Sequence, residues 1–383
     1  MDHGFWWSLV DEPAPFRDGA GLLASLASVA PDGDAWRMVS TAMGGDLARR
    51  SRHFFGLRYP GRHGRDEWLV LVMQTPKKEK SASGGLILSN LSDSSKRAEF
   101  EKAPIFGFLA HGARPDEIQL RNSTVVDSSV REKTVALIGI GALGSKVAEL
   151  LAQAGVGAFR LCDSDILSTG NVARHVGGLS DFGARKTRVV WSRLHNINPH
   201  LKQTEVWDGR ATDSIAALKE FLKGVDLVVC TTADENAESA INQVAVIEKT
   251  PVIYGRAMRR GSMGRVFLVR PGEDACKKCI GIYAESKRDG QNAPGDWIAV
   301  SERDEDVLLH ECGRPVIPAS AVDLSFIASL IARCSLDYLE GRATTTNHWL
   351  WSQASAIDVD PRIDRPLCTV EGTLPRLDDC PCC

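Results

Sequence analysis

Two Cys-x-x-Cys pairs, Cys276/Cys279 and Cys380/Cys383, stand about a hundred residues apart in a chain of 383 residues. Four thiolates in two knuckles of equal spacing suit one tetrahedral Zn2+ in a closed, structural site. Cys382 is a spare thiol in the second knuckle, and the spacing of Cys276-Lys277-Lys278-Cys279 favours Cys383 over it. Such a site would tie the last residues back to the middle of the chain. Upstream lies a glycine loop, Gly139-Ile140-Gly141-Ala142-Leu143-Gly144. Between a strand and a helix, this spacing lets backbone amides close on phosphate oxygens, and the helix start adds partial positive charge. Asp163 follows Gly144 by nineteen residues, at the expected end of the next strand, where its carboxylate would accept hydrogen bonds from ribose hydroxyls. The loop alone serves NAD as well as ATP.

A polar cluster separates these cofactors. Asp163-Ser164-Asp165 is followed by Asn171-Val172-Ala173-Arg174-His175 and by Gly183-Ala184-Arg185-Lys186. Hydride transfer develops little charge on a pyrophosphate. Cleavage of ATP between its α and β phosphates puts negative charge on non-bridging oxygens and on the departing pyrophosphate. Arg174 and Lys186 are expected to neutralise that charge and Asn171 to position the phosphates.

With these motifs the chain resembles the ThiF/MoeB/HesA and ubiquitin-activating enzymes, from about Lys133 to Cys383. The resemblance also rests on Ala154-Gly155-Val156-Gly157, Asn198-Pro199-His200 and both cysteine pairs. It implies ATP-dependent adenylation of the C-terminal glycine of a ubiquitin-like protein, with Mg2+ on the nucleotide and Zn2+ at the thiolates. It places Gly141 at the phosphates, Asp163 at the ribose, and Asn171, Arg174 and Lys186 around the triphosphate, with Gly139, Ala142, Gly144 and Asp165 among the nucleotide-binding residues. The family's Thr-Asp-Asn, whose Asp holds magnesium, becomes Thr231-Thr232-Ala233-Asp234-Glu235-Asn236 here. A gap-free match puts Ala233 at that position, and Asp234 is expected to serve instead while also capping the next helix.

The polar stretch of about 284–315 corresponds to the family's crossover above the adenylate. Its Cys312 is the expected nucleophile toward the acyl-adenylate, with His310 or Arg314 lowering its pKa. Arg256, Arg259 and Arg260 resemble the segment facing the incoming C-terminal tail, and Arg121 or Arg131 is the candidate to reach a partner protomer's ATP. The implied partners are a ubiquitin-like protein, a conjugating enzyme and a second copy of the chain, in a setting such as prokaryotic phage defence. The rivals are a sulfur-carrier adenylyltransferase of the thiamine or molybdopterin type, a tRNA-modifying relative, a non-catalytic partner subunit and an NAD-dependent oxidoreductase.

These residues require a scaffold of alternating strands and helices. Apolar runs at Thr134–Ile138, Phe159–Cys162, Thr204–Trp207, Asp226–Cys230 and Pro251–Tyr254 read as strands. Helical spacing falls at Ser145–Ala154, Ala184–Leu194, Ser214–Lys223, Asn236–Lys249 and Ala319–Leu339. The expected fold class is therefore α/β: a Rossmann-like, doubly wound, mainly parallel sheet with an antiparallel strand near Arg265–Val269 and a zinc-tethered C-terminal part. Residues 129–383 would form it. Residues 1–128 would form a small α+β accessory module, with a helix at Ala20–Ala27 and strands at Trp68–Met73, Leu86–Leu88 and Phe106–Leu109.

A hydrophobic share of 43%, a charged share of 25% and a net charge of −3 fit a globular protein with no bulk electrostatic pull toward nucleic acid or anionic membrane. No apolar run reaches membrane-spanning length, and no secretory signal pattern opens the chain. All ten cysteines lie at or after Cys162, which with the paired spacing favours reduced thiols and a cytoplasmic setting. Cys162, Cys230 and Cys334 read as core thiols, and Cys368 has no assigned role.

Overall fold

The computed structural model describes residues 5–43, 52–61, 66–74, 92–110, 114–232, 234–288, 309–311, 314–316, 318–342 and 345–383. The chain forms two compact units, Met1–Ala113 and Arg114–Cys383. The expected division was near residue 128. The segment before that point is held within the second unit: Asn122 Nδ2 donates to the carbonyl of Gln153 at 2.8 Å, and the Asp127 amide donates to Glu340 Oε1 at 2.8 Å.

In the first unit, strands β1 (Phe5–Ser8), β2 (Arg52–Pro60), β3 (Asp66–Gln74) and β4 (Ile105–Ala110) lie in that order in one sheet. β1 pairs parallel to β2, and the others are antiparallel. Helices α1 (Gly19–Leu26), α2 (Ala35–Met43) and α3 (Asp93–Lys102) supply Leu22, Leu26, Trp36, Val39 and Phe100 to a core shared with Phe55, Leu57, Leu71 and Met73. The sequence reading found α1, β3 and β4 but not β1, β2, α2 or α3. Its strand at Leu86–Leu88 lies outside the described residues.

In the second unit, eight strands form one sheet in the order β14-β13-β10-β9-β8-β5-β6-β7. The parallel part is β5 (Thr134–Ile138), β6 (Ala158–Cys162), β7 (Gln203–Trp207), β8 (Leu227–Cys230) and β9 (Val252–Met258). β10 (Met263–Val269), β13 (His348–Ser352) and β14 (Cys368–Gly372) extend it antiparallel, and the last two were not foreseen. Leu309–Glu311 and Arg314–Val316 pair as a separate short hairpin, β11 and β12.

Helices cover both faces, so the central strands read as continuous apolar runs. On one face α4 (Gly144–Ala154), α5 (Lys186–Ile197) and α9 (Ala321–Leu339) bury Val147, Leu151, Val190, Leu194, Ile327 and Ile331 against Leu137 and Val229. On the other, α6 (Ile215–Leu222), α7 (Glu235–Glu248) and α8 (Lys277–Arg288) bury Leu218, Ile241 and Ile280 against Ile138 and Cys230. α4 shows the logic of one such element. Val147, Ala148, Leu151 and Ala152 fall on one side of it, and Gly155, with φ 101°, ends it in the left-handed conformation.

Candidate nucleotide and metal sites

Strand register assembles the site. Ile138 pairs with Cys162 on one side and with Cys230 on the other. Gly139, Asp163 and Thr231 therefore leave the sheet side by side, where the strand order reverses and doubly wound sheets bind ligands.

The glycines of the loop do different work. Gly139 has φ 91° and lies so close to β8 that an added Cβ would meet Thr232 N at 2.8 Å. A Cβ on Gly144 would lie 1.9 Å from Gly139 O. At Gly141 a Cβ would meet nothing within 4 Å. The first and last glycines are thus required by packing, whereas the middle one faces open space large enough for a ligand to approach the backbone. Gly144→Ala is expected to cost about 3 kcal/mol through overpacking. Gly141→Ala should leave the melting temperature nearly unchanged and weaken nucleotide binding roughly tenfold or more, about 1.4 kcal/mol. Thermal denaturation and nucleotide titration of the two variants would check this; equal loss of stability in both would refute it.

Ile140, between these glycines, is gripped through both of its backbone groups. Its amide donates to Asp163 Oδ2 at 2.6 Å, while the Asp165 amide donates to Asp163 Oδ1 at 2.8 Å. Asp163 thus locks the loop to the end of β6, and each carboxylate oxygen keeps a lone pair for a ribose hydroxyl. Burial pushes its pKa up, against the lowering effect of the Asp165 amide and the nearby Lys186. On the other side, Gly177 N–H donates to His175 Nδ1 at 2.9 Å, so Nε2 carries the proton and donates to the Ile140 carbonyl at 3.1 Å. Burial lowers the His175 pKa from 6.5 to about 4. Between those values the unfolded chain holds the proton and the folded chain does not, so the contribution of the neutral ring is complete above the unfolded value and is lost as pH falls through about 4. The sequence reading placed His175 in the polar cluster without a role; no sequence signal marks it, because its partner is a main-chain carbonyl 35 residues away.

The cluster after β6 is brought against this loop. Lys186 is the first residue of α5, is 8% exposed, and its Nζ lies 2.9 Å from Asp165 Oδ2. Arg185 Nη1 donates to the Ser164 carbonyl at 2.7 Å. Asn171 Oδ1 accepts from the Ser168 amide at 3.3 Å, and the Arg174 amide donates to the Asn171 carbonyl at 2.8 Å, so both sit on one short turn. Cations at a helix start oppose the helix dipole unless an anion is bound there.

After β8, Thr231 Oγ1 donates to the Gly139 carbonyl at 2.7 Å. Asp234 is exposed and caps α7: its Oδ1 accepts from the amides of Asn236 at 2.9 Å and Ala237 at 3.2 Å. Its Oδ2 takes no hydrogen bond among the described residues, so the capping role leaves one oxygen for a cation. Arg256, expected to face an incoming tail, has a partner in the neighbouring helix. Its Nη2 lies 3.1 Å from Glu238 Oε1 in an ion pair that sequence reasoning missed. Cys312 and Ala233 lie outside the described residues.

The four cysteines of the two pairs converge, all sulfur atoms lying within 4.8 Å of one another. Cys276 Sγ is 3.9 Å from Cys279 Sγ and 3.7 Å from Cys380 Sγ, and Cys279 Sγ is 3.5 Å from Cys383 Sγ. A tetrahedron with bonds of about 2.3 Å has edges of about 3.8 Å, so the donor set and its dimensions fit Zn2+. Cys382 is not part of the cluster. Cys162, Cys230 and Cys334 are buried, and burial pushes each thiol up to about 12, as expected of core cysteines. Cys368 is also buried, at the start of β14. No helix of the described residues is long and apolar enough to cross a membrane.

The ThiF family profile matches residues 122–359. Over 166 residues the chain is 30% identical to the molybdopterin-synthase adenylyltransferase of Salmonella typhimurium, covering 43% of this chain and 63% of that one. Over 175 residues it is 29% identical to ubiquitin-like modifier-activating enzyme 5 of Arabidopsis thaliana, covering 42% and 41%. Over 247 residues it is 26% identical to the uncharacterized protein y4oA of Sinorhizobium fredii, covering 61% and 40%. The chain spans less than two thirds of the length of each of these relatives. Among solved structures, E. coli MccB with ATP matches with a TM-score of 0.51 at 17% identity, covering 72% of this chain and 75% of that chain, a likeness of fold.

Proposed function

The chain belongs to the ThiF family, and on that premise we propose that it uses ATP to adenylate the C-terminal carboxylate of a small ubiquitin-like or sulfur-carrier protein. The observation that carries this reading is the open backbone at Gly141, in a loop whose Ile140 amide is held by Asp163 with Lys186 nearby. A carboxylate oxygen of the substrate bonds to the α-phosphorus, the bond from that phosphorus to the α,β-bridging oxygen breaks, and pyrophosphate departs with the electron pair. Lys186 and Arg174 offset the charge that appears on the α-phosphate and on the leaving group. Asn171 orients the phosphates. Asp234, through its uncommitted oxygen, would hold the Mg2+ that neutralises the phosphate chain. Cys276, Cys279, Cys380 and Cys383 would hold one structural Zn2+.

In the second half of the proposal, the Cys312 thiolate attacks the acyl carbon, the bond from that carbon to the adenylate oxygen breaks, and AMP leaves. The thioester then passes to a conjugating enzyme's cysteine. The proposed assembly is a homodimer, with the first unit, Met1–Ala113, acting as an accessory module that recruits a partner.

ATP–pyrophosphate exchange with candidate ubiquitin-like and sulfur-carrier proteins tests the first step, and a non-reducing gel tests the second. Exchange should survive Cys312→Ala while the thiol-sensitive adduct is lost. Exchange without any adduct in the parent protein would remove the thioester step and leave plain adenylation. No exchange with any candidate, together with tight NAD binding, would overturn the reading.

A further inference from the structure

Glu238 is 3% exposed on α7, and the nucleotide site as described does not use it. A carboxylate this deeply buried needs counter-charge, and it has two. Arg256 Nη2 lies 3.1 Å from both of its oxygens, and Lys277 Nζ lies 2.6 Å from Oε2. Arg256 belongs to β9. Lys277 stands between the cysteine ligands Cys276 and Cys279. One turn further along α7, the buried Asn242 accepts the Lys277 amide on Oδ1 at 2.9 Å. Positions four apart share a helix face, so α7 grips the cysteine knuckle at two points, by its side chain and by its main chain.

The other end of the same helical turn carries the nucleotide-side group. The Glu238 amide donates to the Asp234 carbonyl at 2.9 Å, and the Asp234 carboxylate caps that turn. The Glu238 carboxylate thus joins the Lys277 side chain of the knuckle to the first turn of α7 and, through Arg256, to the strand beside β8.

We propose that Glu238 is a positioning residue that couples the four-thiolate centre to the nucleotide site, so that each site, when filled, holds the other in place. The inference rests on the nucleotide reading above. Coupling between sites is reciprocal, which makes the metal a reporter of the nucleotide.

The test is zinc release from the full chain to a chromogenic chelator, with and without saturating MgATP. In the parent protein MgATP should slow release about fivefold or more, the lower end of ordinary site–site coupling. In Glu238→Gln the two rates should coincide, while MgATP binding and one zinc per chain are retained. Lys277→Met provides a second variant, since it cuts the same link yet leaves Glu238 paired with Arg256; it should also release zinc at a rate indifferent to MgATP, and it decides the matter if Glu238→Gln fails to fold. A parent that binds MgATP but releases zinc at one rate overturns the inference alone, as does a MgATP effect that persists in Lys277→Met. A parent that does not bind MgATP overturns the nucleotide reading and this inference with it.

Discussion

Lys186→Ala is expected to lower ATP–pyrophosphate exchange by about 10²–10³-fold, the loss typical of removing one preorganised group that stabilises transition-state charge. The argument starts from a local cost. Lys186 opens α5, a helix with no acidic residue in its first turn. A cation at that end works against the helix dipole by about 0.3–1 kcal/mol. Its side chain is only 10% exposed, and Asp165, with which it forms an ion pair, is 46% exposed. An ion pair with so open a partner contributes about 0–1 kcal/mol to stability. The position is therefore poorly explained by folding and well explained by a bound polyanion. The expected signature is a large fall in exchange with a melting temperature close to the parent's. Exchange within threefold of the parent would remove Lys186 from the chemistry, and with it the main argument for ATP over NAD.

Stripping the metal is expected to have the largest effect on stability. Cys380 lies in the same buried cluster as Cys276, Cys279, Ile280, Tyr283 and Leu374, with Cys383 partly buried against it, so three of the four cysteines are built into the packing of α8. Structural zinc sites contribute their binding energy to folding. A net loss of about 3–5 kcal/mol in the second unit would lower its melting temperature by about 10 °C. Chelation or Cys380→Ser should produce that fall, together with new proteolytic cuts in the last residues of the chain. Cys382→Ser is the control: its sulfur lies outside the cluster, so metal content and melting temperature should both be preserved. If Cys382→Ser lost the metal and Cys383→Ser kept it, the ligand set would be wrong.

The parts of the site legible in the sequence share a physical character. The glycine loop is legible because its requirements are local: a turn, a close backbone approach and a helix start within six residues. The cysteine pairs are legible because two knuckles of equal spacing suit tetrahedral zinc. Asp234 was readable only in part. A gap-free match points to Ala233, and it is the onset of α7 that makes Asp234 the capping residue with an oxygen to spare. The first unit was read poorly in part because β1 is only four residues long and β2 does not alternate cleanly, with Gly56 and Leu57 buried beside Phe55. β13 was missed because it pairs with β10 from about eighty residues away, beyond any local pattern, and β14 has its place in the sheet only through β13.

Residue order by itself determined the alternating strands and helices, the phosphate loop and the four-thiolate set, because period, turn chemistry and ligand spacing act over a few bonds or repeat a short motif. Tertiary structure alone decided that Ile138 ends level with Cys162 and Cys230, that His175 clamps the Ile140 carbonyl, and that Glu238 joins Arg256 to Lys277. Those facts depend on register and burial. They join groups distant along the chain, and a buried charge or imidazole has no meaning until the surrounding core exists to exclude water.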